Sequence, residues 1–240
     1  MAQAIQELRS GRLVLLYDAD GREEETDLVI ASEAVTPAAV RTLRTQGGGL
    51  ICATLHPRVH EALGLPYLTD IFAQSEHPLL ARLADADVPY EPGAGKPSFT
   101  VSINHRETFT GVTDNDRSLT LRALARLAIE AGRAPEGELR QRFGERFKAP
   151  GHVFLLNAKP RLLHERRGHT ELATALMDLA GLSPTATICE MMNGPSGRAL
   201  PKADAIKYAR QNGLVFLEGS EVLDAWMQAS PPPRVAGTKR

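Results

Sequence analysis

Seven short apolar runs rich in β-branched residues, at 12–17, 28–32, 50–55, 99–103, 153–157, 187–191 and 214–218, alternate with longer segments of helical period. That alternation confines the chain to a sheet covered by helices, since elements with one apolar side bury it by packing on one another. Helix signals punctuate the intervals. Thr36-Pro37 reads as an N-cap followed by a first-turn proline, with 38–45 as the body and Gly47 as the end. Thr113 or Asp114 caps a helix reaching Glu130, and a helix over 168–180 is stopped by Gly181 and Ser183-Pro184. Residues 84–97, dense in Pro and Gly, and 131–149, a short charged helical insert, read as excursions from the core. The ending SPPPRVAGTKR reads as a frayed tail. No repeat and no linker between two cores is visible, so the expectation is one domain over 1–220 with a C-terminal extension over 221–240.

Composition narrows the class. With 240 residues, 42% of them hydrophobic and 24% charged, the chain can bury a core without disulfides, so Cys52 and Cys189 are expected as thiols of a cytoplasmic protein. No apolar run approaches the roughly 18 residues of a membrane span, and no basic segment with an apolar run behind it opens the chain. The net charge of −1 conceals a polarity: residues 1–120 hold 10 Lys+Arg against 17 Asp+Glu, and residues 121–240 hold 18 against 12. Neither half has the strong basic excess of a nucleic-acid-binding domain.

The acidic excess is concentrated. Asp18–Asp27 reads DADGREEETD, six carboxylates and one arginine between two expected strands. A solvated turn is the plain alternative. If the next strand begins near Glu25, however, alternation brings Glu23, Glu25 and Asp27 to one side while Glu24 turns away. Carboxylates so gathered repel, and a divalent cation or an arginine relieves them; Arg22 alone cannot. A second cluster, Arg166-Arg167-Gly168-His169-Thr170-Glu171, stands at a helix start, where free N–H groups, Arg166, the Gly168 turn and the Thr170 hydroxyl can cradle a phosphate. His169 beside it is a metal-ligand candidate. Thr108, Thr110 and Thr113 offer hydroxyls for a cap or for a ligand, and Glu190 closes an apolar strand where a carboxylate is costly. Cys52 and Cys189 default to inert packing, and Pro150-Gly151-His152 brings another titratable ring.

In order along the chain stand REEETDLVIASE, GGGLICATL, FTGVTDNDR, PGHVFLL, RRGHTE, LAGL and ICEMMN. Together these motifs resemble the 3,4-dihydroxy-2-butanone 4-phosphate synthases of riboflavin biosynthesis, over about residues 5 to 218, and the insert and ending resemble the archaeal-type, monofunctional branch. The length argues against the fused form that carries GTP cyclohydrolase II. Thr26 stands where many members have Gly.

The resemblance implies an α+β, three-layer α/β/α domain with a mixed sheet of about seven strands. It implies conversion of D-ribulose 5-phosphate to L-3,4-dihydroxy-2-butanone 4-phosphate and formate, with Mg²⁺ or Mn²⁺, two ions per site when substrate is bound, and no organic cofactor. Carried over residue by residue, Glu23 and His169 would bind metal. Arg22, Glu23, Asp27, Thr108, Thr110, Arg166, Gly168, His169, Thr170 and Glu190 would contact substrate, and Glu25, Asp27, Cys52, His152 and Glu190 would serve the chemistry. Asp114 aligns with the threonine-rich loop. A homodimer with sites completed across its interface is also implied. A hard cation suits this carboxylate-rich set better than zinc. Two other readings use the same residues: a different divalent-metal phosphosugar isomerase or hydrolase, and a non-catalytic sugar-phosphate binder on the same fold.

Overall fold

Every one of the seven apolar runs becomes a strand of a single sheet: β1 (Val14–Tyr17), β2 (Thr26–Ala31), β3 (Cys52–Leu55), β4 (Phe99–His105), β5 (Phe147–Asn157), β6 (Ala186–Glu190) and, after a two-stranded ribbon of β7 (Met192–Asn193) and β8 (Arg198–Ala199), β9 (Val215–Glu218). The computed structural model describes residues 1–84, 96–135 and 137–229. The loop read at 84–97 therefore lies mostly outside the described residues, and the tail SPPPRVAGTKR wholly so.

The spatial order is β4-β5-β3-β6-β2-β1-β9. β3 with β5 and β1 with β9 run parallel, and the other neighbours are antiparallel. The sheet is mixed, as the resemblance implied. Alternation then sorts each strand between two cores. On β2, Leu28 and Ile30 join one core, Val29 and Ala31 the other.

Helices cover both faces, giving three layers. The first core is closed by α2 (Pro37–Gln46), α3 (Pro57–Leu63), α6 (Asp114–Ala128), α7 (Glu138–Arg146) and α9 (Lys202–Asn212), the second by α1 (Ala2–Arg9), α8 (His169–Ala180) and α10 (Gly219–Ala229). Two short helices, α4 (Leu68–Ala73) and α5 (Pro78–Leu83), bury none of their residues. The expected caps are present: the Thr36 side chain accepts from Ala39 N–H, and that of Thr113 from Asp116 N–H. Each large side chain sealed in these cores, such as Leu15, Leu28 or Leu124, contributes about 2 kcal/mol.

Three differences from the sequence reading have physical causes. β5 starts at Phe147 rather than at 153, because Phe147 and Lys148 pair with His105 and Asn104 across a register shift, and exposed Pro150 sits where no ladder N–H is needed. The stretch expected as an extension from 221 begins as helix α10, which buries Val222 and packs Leu223, Trp226 and Met227 against the second core at helical spacing. Finally, α1, α3, α4, α5 and α9 are additional helices; α3 and α5 carry the His-Pro start at 56–57 and 77–78 that could have announced them.

Candidate active site

The loop between β1 and β2 is organised by one carboxylate. Asp18, 4% exposed, accepts from Arg22 Nη1 and Glu23 N–H through Oδ2 and from Glu25 N–H through Oδ1, each at 3.0 Å. Glu24, with φ of 57°, turns out to solvent and accepts from Gly21 N–H at 2.8 Å. Glu23 is thereby aimed inward by the loop rather than by strand alternation, because β2 begins only at Thr26. Asp27 has the parity of Val29 on β2, so it faces the core closed by α8 and is register partner to Glu190 on β6.

The first turn of α8 comes down on these acids. Gly168 provides no side-chain cap, leaving the helix start open to an anion. A Cβ at Gly168 would lie 2.6 Å from both the Arg166 and the Arg22 guanidinium, so glycine alone lets the two cations close over this turn. Arg166, 6% exposed, donates from Nη1 to Glu171 Oε2 at 3.0 Å and to Ser98 Oγ at 3.3 Å, and its Nη2 is 4.0 Å from Glu23. Arg22 Nη1 meets Glu23 Oε1 at 2.8 Å.

His169 completes the set. Its Nε2 is 3.1 Å from the Glu25 carbonyl oxygen, an acceptor that demands N–H there; its Nδ1 faces Glu23 Oε2 at 3.3 Å. With Nε2 protonated in the neutral ring, a nitrogen lone pair and a carboxylate oxygen confront each other, and a cation or a proton must sit between them. Asp18, Glu23 and His169 each offer a donor atom, all within 4.8 Å of one another. Oxygen and imidazole donors without thiolate fit a hard divalent ion.

The electrostatics follow. Burial pushes the Asp27 carboxyl well up, reinforced by Glu190, Glu23 and Glu25, although His169 opposes. Both Asp27 oxygens lack hydrogen-bond partners among the described residues. Burial works against charge on His169, but Asp27, Glu23 and Asp18 outweigh it and push the ring up. Burial also resists the Glu23 charge, yet His169, Arg22 and Arg166 hold its carboxyl down at about 2. Glu25 and Glu190 are raised, chiefly by burial. The Cys52 thiol is pushed up by burial and by Glu190 and Asp27, which keeps it neutral and unsuited to nucleophilic attack.

Glu23, Asp27, Cys52, Arg166, His169, Thr170 and Glu190 line one cleft of about 120 Å³. Glu25 stands just outside, giving its carbonyl to His169. A larger cavity of about 480 Å³ opens behind the arginines, between Asp18, Leu172, Gly219 and Leu223, but it contains neither Glu23, Asp27 nor Glu190. Thr108, Thr110 and His152 are not among the lining residues. His152 lies on β5, separated from Asp27 by β3 and β6, three strand spacings or roughly 14 Å. Its ring Nδ1 stands 3.1 Å from Asn104 Nδ2, and its backbone N–H donates to Asn104 Oδ1 at 2.8 Å. Thr108 is buried and donates its hydroxyl to the His105 carbonyl at 2.7 Å, whereas Thr110 is exposed. Sequence reasoning gave no separate part to Asp18, Ser98, Phe99 or Glu171. Two of them carried a signal: Asp18 opens the acidic loop, and Glu171 stands in the first turn of a helix that begins on two arginines.

The 3,4-dihydroxy-2-butanone 4-phosphate synthase family model matches residues 2–225. The chain belongs to that family. It is an enzyme, and the family's reaction is the conversion that the sequence motifs implied. The 3,4-dihydroxy-2-butanone 4-phosphate synthase of Methanothermobacter thermautotrophicus is 42% identical over 94% of this chain and 95% of its own length, and that of Archaeoglobus fulgidus is 40% identical over 92% of each. A crystal structure of 3,4-dihydroxy-2-butanone 4-phosphate synthase in complex with two magnesium ions superposes with a TM-score of 0.70 at 31% identity, covering 95% of this chain and 96% of that one. The synthase family therefore supplies both fold and activity, and the archaeal relatives agree with the branch read from the insert and ending. Among the described residues no helix is long and apolar enough to cross a membrane.

Proposed function

We propose that this synthase converts D-ribulose 5-phosphate to L-3,4-dihydroxy-2-butanone 4-phosphate and formate in a single domain that takes in α10, with Glu23 and His169 holding the divalent cation. The observation that carries the reading is the confrontation of His169 Nδ1 with Glu23 Oε2 at 3.3 Å beside an open helix start. Mg²⁺ or Mn²⁺, two ions once substrate is bound, would polarise the sugar's carbonyl and hold its vicinal oxygens; no organic cofactor is required.

The chain's own groups do the rest. Arg22, Arg166, Thr170 and the turn at Gly168 hold the phosphate at the start of α8. Asp27 and Glu190, side by side and raised by burial, are the groups able to accept and return protons at the sugar carbons, with Glu25 next to them. Cys52 shapes the cleft wall as a neutral thiol. The density of raised acids disfavours a passive binder.

Thr110 and His152 act in the cleft of a second copy, in a cytoplasmic homodimer, while Thr108, its hydroxyl held by the His105 carbonyl, shapes the loop from within. Supporting this, the loop that follows β4, an edge strand of the sheet, holds Phe109 95% exposed with Val112 nearby. The deciding experiment follows formate from labelled D-ribulose 5-phosphate in the presence and absence of divalent metal. Stoichiometric formate that disappears on chelation is expected. Release of free phosphate, or an isomer without formate, overturns the proposal.

A further inference from the structure

The loop joining β4 to α6 is folded around a carboxylate of the FTGVTDNDR motif that does not line the cleft. Asp116, in the first turn of α6, accepts from Gly111 N–H at 2.9 Å, Thr110 N–H at 3.3 Å and Phe109 N–H at 3.4 Å, and from the Thr110 hydroxyl at 3.4 Å. Its own N–H donates to Thr113 Oγ1 at 3.1 Å, so cap and loop are locked reciprocally. Three consecutive N–H groups turned onto one centre form an anion-binding concavity, and here the chain fills it with its own side chain.

The loop is fixed from beneath as well. Gly111 has φ of +93°, and a Cβ there would lie 2.0 Å from Asn104 Nδ2, the same amide that stands against His152. Asp116, Gly111 and Asn104 thus join the threonine loop and His152 in one unit. What that unit leaves outside is Phe109, Thr110 and Val112, all exposed. A short loop with an aromatic tip would ordinarily fold the ring back onto apolar surface. Holding it out before any partner arrives removes an ordering cost from the association.

We propose that Asp116 is a positioning residue for the reaction: its carboxylate fixes the Phe109-Thr110-Gly111 turn so that the Thr110 hydroxyl is presented in the geometry that substrate binding needs. This rests on the reading above that the threonine loop serves the cleft of a second copy. The role belongs to Asp116 as a builder of the loop, since its oxygens are committed to the loop's donors and do not reach the substrate. Its removal should therefore weaken substrate binding while leaving the chemical step nearly intact.

The experiment compares Asp116→Ala, Asp116→Asn, Thr110→Ala and the Asp116→Ala/Thr110→Ala pair as full-length enzyme with saturating Mg²⁺, measuring KM and kcat for D-ribulose 5-phosphate well below each variant's Tm. Asp116→Ala and Thr110→Ala should each raise KM about tenfold with kcat within about threefold, and the double variant should go no further, because both remove the same interaction. Asp116→Asn, which keeps an acceptor oxygen, should fall between and carries the comparison if the alanine variant does not fold. Thr110→Ala raising KM while Asp116→Ala or Asp116→Asn only lowers Tm would overturn the positioning role and leave the loop's part in binding standing. An unchanged KM in Thr110→Ala would overturn the loop reading and this inference with it.

Discussion

Asp27 and Glu190 are directly opposed register partners on β2 and β6, two carboxylates at the inner end of a ladder whose other pairs on that stretch, Leu28 with Cys189 and Val29 with Ile188, are apolar. Like charges across a strand pair destabilise, and Asp27, with no hydrogen-bond donor on either oxygen among the described residues, meets His169 Nε2 only at 3.7 Å, which offsets its burial in part. In metal-free protein, Asp27→Asn should therefore raise Tm by roughly 2–4 °C, the equivalent of ~1 kcal/mol for a chain of this size. The same substitution should lower kcat/KM by at least about a hundredfold, as expected for loss of an acid-base group. Calorimetry and initial rates on one preparation check both; a variant less stable than the parent would show that Asp27 is structural.

Glu23→Gln and His169→Ala each take one jaw from the cation pincer. Metal binding stabilises a fold by mass action, so Mg²⁺ at about a hundred times its Kd should stabilise the parent by ~2.7 kcal/mol and either variant far less. Thermal shift against Mg²⁺ concentration reads this without turnover. An equal shift in parent and variants would move the ion elsewhere.

Gly168→Ala tests the cradle by sterics. The added methyl would meet two guanidinium groups at 2.6 Å, and displacing them is expected to raise KM about tenfold, near the value of one charge-assisted contact, with kcat less affected. Arg166→Ala should behave similarly. Unchanged KM in both would place the phosphate elsewhere, the cavity behind the arginines being the next place to look.

His60 gives a pH dependence away from the site. It is buried near the end of α3, its Nε2 3.0 Å from the Ala158 carbonyl, and burial holds its pKa below the usual value. The unfolded chain then takes up a proton at about pH 6.5 while the folded chain still refuses it. The stability this lends is fully present above about pH 6.5 and is lost as pH falls through the lower folded value. His60→Gln should flatten that part of the stability curve; urea midpoints of both proteins between about pH 7.5 and 5.5 decide it.

Much of this was legible in the residues, for reasons that also mark the limit. The strands showed because a sheet buried on both faces needs unbroken apolar runs, and the acidic loop showed because six carboxylates in ten residues have few stable environments. Glu23 does turn inward, but from a loop built on Asp18 rather than by strand alternation, since β2 begins only at Thr26. Its meeting with His169, 146 positions away, was not legible; no local pattern encodes a contact made through sheet order, and the motif resemblance alone paired them. Thr108 illustrates the opposite failure, since a hydroxyl free for ligand and one spent on His105 look alike in sequence. So does the helix from Gly219, whose apolar spacing resembles a tail until α8 is there to receive it.

The sheet order has a consequence for how the protein comes into being. β6, from late in the chain, is inserted between β2 and β3, both early, so a ribosome has emitted some four-fifths of the polypeptide before the central strand exists. Until α8 emerges, shortly before β6, the early acids have Arg22 of their own loop but neither His169 nor Arg166, and until β6 follows, β2 and β3 have exposed edges. Long-range closure of this kind is slow, and the half-made chain is the form most exposed to mispairing. Cation capture must therefore follow synthesis of the second half, which makes it a late event of folding.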